Sequence, residues 1–248
     1  MPNLPAHIYL AHHAAKRLGH RTLEEHLGCF LLGATSPDVR VITRRRREEY
    51  HFAPLDFDAV GAGVKAMFLA HPHLSPSLDH DAPTQAFVAG YMTHLFADEI
   101  WITQMYRPYF GNPNVFGDDV LGKVLDRALQ LELDREAWET LDATRAQLQA
   151  ASDGFNTGII PSETLSEWKK WILSSFERGF TWDRLQFMAR RIAGGDDAHP
   201  AHRLAEEFLR DAPQGLDDLY DLVPRRSVAD YKERTIETLV DALGNYLP

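Results

Sequence analysis

The chain has 248 residues, 44% of them hydrophobic and 25% charged, an ordinary globular composition at a length that allows a real core. Its net charge of −10 excludes the overall basic footprint of a nucleic-acid coat or an anionic-membrane binder, and no run approaches the roughly 20 apolar residues that span a bilayer. The single cysteine, Cys29, excludes an intramolecular disulfide; with an N-terminus that lacks the pattern of a secretory leader, it predicts a cytoplasmic protein.

Pro5 to Leu18 reads as a first helix with His7, Leu10, Ala11, Ala14 and Leu18 on its apolar face, so His7 is the inward histidine. His12, His13 and His20 read as solvated surface groups. Thr22 to Glu25 has the form of a capping box that opens a second helix, with Leu23, Leu27, Phe30, Leu31 and Ala34 facing the core and His26 at the edge of that face. That helix runs out at Gly33. Pro37 biases Ser36 to an extended conformation and puts Asp38 on a stiff loop, either as a turn aspartate or as a carboxylate held in position.

Four arginines, Arg44, Arg45, Arg46 and Arg47, then precede His51. Such a run is ordinarily a solvated loop, but if Asp38 and His51 converge the guanidiniums are tethered close enough to bind a phosphate. Asp56 or Asp58 is the expected cap of a helix through Met67 and Leu69. Residues 71 to 83 form a proline-rich loop. Its His80-Asp81 pair matches the two letters of an HD-type phosphohydrolase signature but not the helical setting that signature needs.

Ala86 to Trp101 is the stretch around which the chain is organised. On a helix, Phe87, Gly90, Tyr91, His94, Asp98, Trp101 and Met105 share one face, and Val88, Ala89, Met92, Phe96 and Ile100 make the opposite side apolar too. Such a helix is central and buried, and a buried carboxylate is costly unless paired, hydrogen-bonded or bound to a metal. Either His94 and Asp98 form a satisfied polar spot in the core, or both ligate one cation.

Beyond Tyr106, RPYFGNPNVFG reads as a loop, and amphipathic helices are expected at about 118–133, 135–151, 162–178, 182–193, 199–211 and 227–246. Trp168, Trp171, Ile172, Phe176, Trp182 and Phe187 are expected core or lid aromatics and aliphatics. His202 and Glu206 form a further i,i+4 pair, either a surface pair or a weak metal site. No strand-type alternation persists, so the predicted fold is all-α, a multi-helix bundle around a buried central helix. The division expected is a core over residues 1–110 and a helical extension over 111–248, unless both belong to one domain.

The order His7, Gly33 to Pro37-Asp38, His51-Phe52, then Gly90-Tyr-Met-Thr-His94-Leu-Phe-Ala-Asp98 resembles the zinc-dependent phospholipase C family, an all-helical group related in fold to the single-strand-specific zinc nucleases. The resemblance covers about the first 105 residues. It implies that Asp38, His51, His94 and Asp98 hold one zinc, that Asp98 bridges to a second ion also bound by His7, and that Asp38 is the catalytic carboxylate. The only counterpart of the family's third-metal histidine and glutamate is His202 with Glu206, about a hundred residues late, so one or two zinc ions are implied. Two metals would clamp a phosphoester and activate a water for in-line attack.

Two functional classes follow. The first is a metal-dependent phosphoesterase whose partner is a phosphoester small molecule or a lipid headgroup, with Arg44 to Arg47 as substrate contacts. The second is a helical scaffold or ligand-binding protein that keeps the core without turnover.

Overall fold

The computed structural model describes residues 1–76, 80–152, 154 and 157–248. Asn3 leads in extended conformation to α1 (Leu4–Leu18), where Pro5 sits in the first turn at no hydrogen-bond cost and Gly19 closes the helix at φ 63°. The next helix divides at His26 into α2 (Arg21–Glu25) and α3 (Leu27–Thr35). The cap of α2 is His20, whose Nδ1 accepts from the Thr22 amide at 3.3 Å, so the expected Thr22 capping box gives way to a histidine cap. His12, His13 and His20 are half-buried rather than fully solvated.

A 3-10 turn over Ser36–Val39 leads into α4 (Arg40–Thr43), followed by α5 (Glu48–His51) and α6 (Ala62–Ala70). Neither Asp56 nor Asp58 caps α6. Glu99 does that work from a distance, its carboxylate accepting from the Gly61 and Gly63 amides. The 71–83 loop, of which residues 77–79 lie outside the described residues, holds a 3-10 turn at Pro72–Leu74. Asp81 caps α7 (Ala82–Trp101) by accepting from the Thr84 amide at 2.7 Å. The aspartate of the His80-Asp81 pair is therefore spent on a helix start.

The helix continues as a π-helical segment, Ile102–Phe110, in place of the loop expected there, and then come α8 (Pro113–Phe116) and α9 (Asp119–Ala150). α9 is one 32-residue helix where two were expected. Asp134, at the supposed break, lies inside it with its side chain buried and accepting from Asn3 Nδ2 at 2.9 Å. α10 (Ser162–Glu177), α11 (Arg184–Ala193), α12 (Pro200–Arg210) and α14 (Arg225–Tyr246) follow the expected pattern, with an additional α13 (Ala212–Leu222). Trp168 is fully buried and donates to Thr35 Oγ1, whereas Phe187 is exposed and belongs to no core.

Among the described residues there is no strand: the fold is an all-α, multi-helix bundle. α7 is its axis. Fifteen of its residues are buried, and α1, α2, α3, α6 and α14 all pack on it. The closest approach is with α3, where two glycines face each other's helix. A Cβ at Gly90 would lie 1.9 Å from the Phe30 carbonyl oxygen, and one at Gly33 would lie 2.0 Å from that of Phe87. The backbones touch because neither helix has a side chain at the crossing, which brings the end of α3 within reach of His94.

Candidate metal centre

Four separate pieces of chain deliver the site. α1 presents His7 from its first turn and α7 presents His94 and Asp98 one turn apart. At the end of α3, Thr35 Oγ1 and Ser36 Oγ both donate to the Leu32 carbonyl, at 2.9 and 2.7 Å, which tightens the chain into the 3-10 turn carrying Asp38. His51 arrives on a segment bounded by two non-glycine residues in the left-handed region, Arg44 and Phe52, both at φ 60°. Such residues cost on the order of 1–3 kcal/mol each and persist where the surroundings over-determine them. Here the determinant is Tyr91, whose hydroxyl donates to the Tyr50 carbonyl at 2.6 Å and ties the segment to α7.

The five side chains converge. Asp98 Oδ1 faces His7 Nε2 at 3.4 Å, and Oδ2 faces His51 Nε2 at 3.3 Å and His94 Nε2 at 3.9 Å. Asp38 Oδ1 lies 3.9 Å from His51 Nε2. Two triads have their ligand atoms within 4.8 Å of one another: His7, His94 and Asp98, and Asp38, His51 and His94. His7 stacks on His94 with ring centroids 3.7 Å apart, and the His51 ring stands edge-on to His94.

Ring tautomers follow from the second nitrogen of each histidine. His94 Nδ1 donates to the Ala34 carbonyl at 2.9 Å and His51 Nδ1 donates to the Arg47 carbonyl at 3.3 Å. In the neutral rings both Nε2 atoms are then bare, and they lie 3.3 Å apart. Two lone pairs aimed at each other in a buried site repel unless a cation lies between them. Two imidazole nitrogens each about 2.0–2.1 Å from a tetrahedral zinc would be about 3.3–3.4 Å apart. The donor set and its spacing therefore fit a divalent ion, and the backbone carbonyls behind the rings are the outer contacts that such ligands use.

Burial lowers the affinity of His94 for a proton, the charge of His7 adds to this, and the ring is held well below the ordinary histidine value. Burial alone would raise the Asp98 carboxyl, but interactions with His51 and His7 and the charge of His94 hold it well below the ordinary carboxylate value. A neutral imidazole and an ionised carboxylate are the states a metal requires. His7 Nδ1, His7 Nε2 and Asp98 Oδ1 are all buried without a hydrogen-bond partner.

Arg47 is the residue of the arginine run that enters the site. It donates from Nη2 to Asp98 Oδ2 at 2.9 Å and from Nη1 to the Ala53 carbonyl at 3.1 Å, with the Met1 sulfur 3.2 Å away. Arg45 and Arg46 instead pair with Glu49 and Glu48 outside the centre. Of the five converging residues only Asp38 is open, with 25% of its side chain exposed, so access to the centre is on its side. A cavity of about 660 Å³ lies beside Tyr50, Arg45 and the start of α10. His202 and Glu206 join neither triad; His202 Nε2 donates to the Asp196 carbonyl at 3.1 Å.

Sequence reasoning missed Arg191 on α11 and Arg127 on α9; the Arg191 guanidinium feels the charges of Arg40, Arg127, Asp38 and Arg44. No sequence signal joins them to the site, since each sits among other charged residues of an amphipathic helix. In comparison with known proteins, the chain matches no family model, no curated protein and no solved structure.

Proposed function

We propose that the protein is a zinc-dependent phosphoesterase of the phospholipase C-like type, hydrolysing a phosphoester small molecule or lipid headgroup ester. The observation that carries this reading is the pair of bare Nε2 atoms on His51 and His94, 3.3 Å apart and flanked by two carboxylates from different elements. Asp38, His51, His94 and Asp98 would hold one ion, with Asp98 Oδ1 and His7 available to a second. His94 has one free nitrogen and so serves only one ion, which makes one or two per chain the expected load. A bound divalent ion supplies Lewis-acid polarisation of a phosphoryl oxygen and lowers the pKa of a water.

The protein's own residues do the rest. His7, His51, His94 and Asp98 are buried and exclude bulk solvent from one side. Arg47 holds the Asp98 carboxylate in orientation. Asp38, the one solvent-exposed carboxylate of the five, would accept the proton of the attacking water. Turnover of phosphomonoesters or phosphodiesters by the zinc-loaded protein, lost in His51→Ala and in Asp38→Asn, is the expected result. A broad phosphoester panel left untouched by the loaded protein contradicts it.

One observation favours a second reading, a helical scaffold without turnover. The Arg47 guanidinium already supplies Asp98 with a positive partner at 2.9 Å. That ion pair accounts for one carboxylate oxygen. It leaves the facing Nε2 atoms and Asp98 Oδ1 unexplained, which is why the metal reading is preferred.

A further inference from the structure

The cavity beside Tyr50 lies outside the five-residue centre. Its volume, about 660 Å³, is within the range that takes a whole small molecule. Three pieces of chain wall it: the arginine segment with Arg45 and Tyr50, the stretch through Gly158, and the first turn of α10 with Ser162, Glu163 and Thr164. The wall at Gly158 is held in place by two histidines. His73 Nε2 donates to the Thr157 carbonyl at 2.9 Å, and a Cβ at Gly158 would lie 3.6 Å from the His71 and His73 rings.

Donors that the protein leaves unused converge here. α10 starts after Pro161, whose ring offers no acceptor, so no side chain caps the helix. Its first bond runs from the Leu165 amide to the Pro161 carbonyl at 3.0 Å, and the Ser162, Glu163 and Thr164 amides before it have no partner in the protein. The 16 residues of α10 gather partial positive charge at that end, which suits an anion. Water alone can serve a bare helix start; Tyr50 is the second and independent sign of a ligand. It lines the same cavity, is only 4% exposed, and its hydroxyl makes no hydrogen bond to the protein. That hydroxyl is not sealed off either, so the cavity is where Tyr50 meets solvent. A buried phenol ordinarily finds a partner for its O–H. Arg45 spends Nη1 on Glu49 at 3.2 Å and keeps Nε and Nη2 for a further acceptor. The acid on the cavity wall is Glu163, which is exposed to solvent.

We propose that this cavity binds the phosphate group of a small, water-soluble ligand, held by the first-turn amides of α10, the Tyr50 hydroxyl and the Arg45 guanidinium. A tetrahedral anion carries enough acceptor oxygens to meet all three kinds of donor, and its oxygens match the guanidinium fork bidentately. A planar carboxylate, with two oxygens in one plane, leaves part of the set unmet. The site requires no metal, so it goes beyond the phosphoesterase reading and stands if that reading falls. Tyr50 directly precedes His51, and its carbonyl accepts from the Tyr91 hydroxyl at 2.6 Å. The phosphate site and the metal centre therefore share one short segment.

The test titrates inorganic phosphate by calorimetry into the full chain, once in chelator and once with zinc. Binding is expected in both. Tyr50→Phe removes the hydroxyl alone and should weaken phosphate about fivefold, the loss of one hydrogen bond. Arg45→Gln should weaken it about tenfold, and Glu163→Gln, which removes an opposing charge, should tighten it about twofold. Arg45 and Glu163 are exposed, so these two variants carry the test even if Tyr50→Phe fails to fold. Acetate should bind about tenfold more weakly than phosphate; acetate as strong as phosphate would overturn the phosphate assignment. Binding that appears only with zinc would put the anion on the metal centre and overturn the site. So would wild-type protein that takes up no phosphate, or Arg45→Gln and Glu163→Gln proteins that bind it as wild type does. A chain without metal or turnover whose phosphate binding still depends on Arg45 and Glu163 would sink the hydrolase reading and leave this site standing.

Discussion

Gly90→Ala is the substitution through which packing and site are most tightly linked. The added methyl would meet the Phe30 carbonyl oxygen at 1.9 Å and the Ala34 amide nitrogen at 2.9 Å, both backbone atoms that no rotamer change can remove. An ordinary contact needs roughly 3.4 Å, so α3 and α7 would have to part by about 1.5 Å at their crossing. Overpacking of this kind costs typically 1–3 kcal/mol and occasionally more. The same movement would pull the Ala34 carbonyl from His94 Nδ1, now at 2.9 Å, at a further cost of about 1 kcal/mol. The expected total is about 2–4 kcal/mol, or roughly 10 °C in Tm for a domain of this length. Urea and thermal unfolding followed by circular dichroism, both in chelator, would read it without a contribution from bound metal. A variant within about 0.5 kcal/mol of wild type would refute the close-crossing argument. Gly33→Ala in the Gly90→Ala background should then cost less than it does alone, because the helices have already separated.

Other expectations concern buried acids. Asp134 is fully buried and its carboxyl is pushed up to about 7 by desolvation, against which Asn3 works only in part. The folded state therefore binds this proton more tightly than the unfolded state, and stability is expected to fall as pH rises from about 4 through about 7, by at most about 4 kcal/mol. Asp134→Asn should flatten that slope and unfold at higher denaturant than wild type at pH 8; an unchanged pH dependence would contradict the assignment. Glu99→Ala removes the acceptor of the Gly61 and Gly63 amides and should cost about 2–3 kcal/mol, with the amides of residues 61–63 losing protection in hydrogen exchange. Replacing His7 by Ala should reduce a two-ion load to one without abolishing the first, since His7 contributes to only one of the two triads. Loss of all metal in that variant would mean that the two triads do not act separately.

Legibility from sequence followed the range of the interactions involved. α7 could be read because its faces are largely apolar and His94 and Asp98 fall one turn apart on the richest of them, a pattern set by helix geometry alone. Ser36, expected to be extended before Pro37, is instead helical at φ −65° and ψ −31° and opens the 3-10 turn that carries Asp38, its hydroxyl bonded back to the Leu32 carbonyl. The ends of α1 and α3 were legible for the same local reason as α7. The capping of α2 was not, because a histidine ring at position 20 took the role usually given to the Thr22 hydroxyl. Asp134 looked like a break in α9 because an aspartate is a poor residue for a helix interior; its carboxylate is in fact held by Asn3 at the start of α1, more than a hundred residues away in sequence. α13 escaped because Pro213 and Gly215 read as punctuation, although Pro213 sits harmlessly in the helix's first turn. Within the site, the five converging residues were found through their order in the chain, whereas the charge interactions of Arg191 with Arg127 and Asp38 arise only in the folded chain, where α11 packs on α9.

The most direct measurement is elemental analysis of the full chain purified without chelator and dialysed against sub-stoichiometric-to-excess zinc, beside the His94→Ala protein treated identically. The arrangement of His7, Asp38, His51, His94 and Asp98 leads us to expect one or two tightly held ions per chain in the first and a loss of the ion that His94 holds in the second. Protein that retains no stoichiometric metal, or a His94→Ala variant that holds as much as wild type, would contradict the claim that these five side chains were brought together to bind a cation.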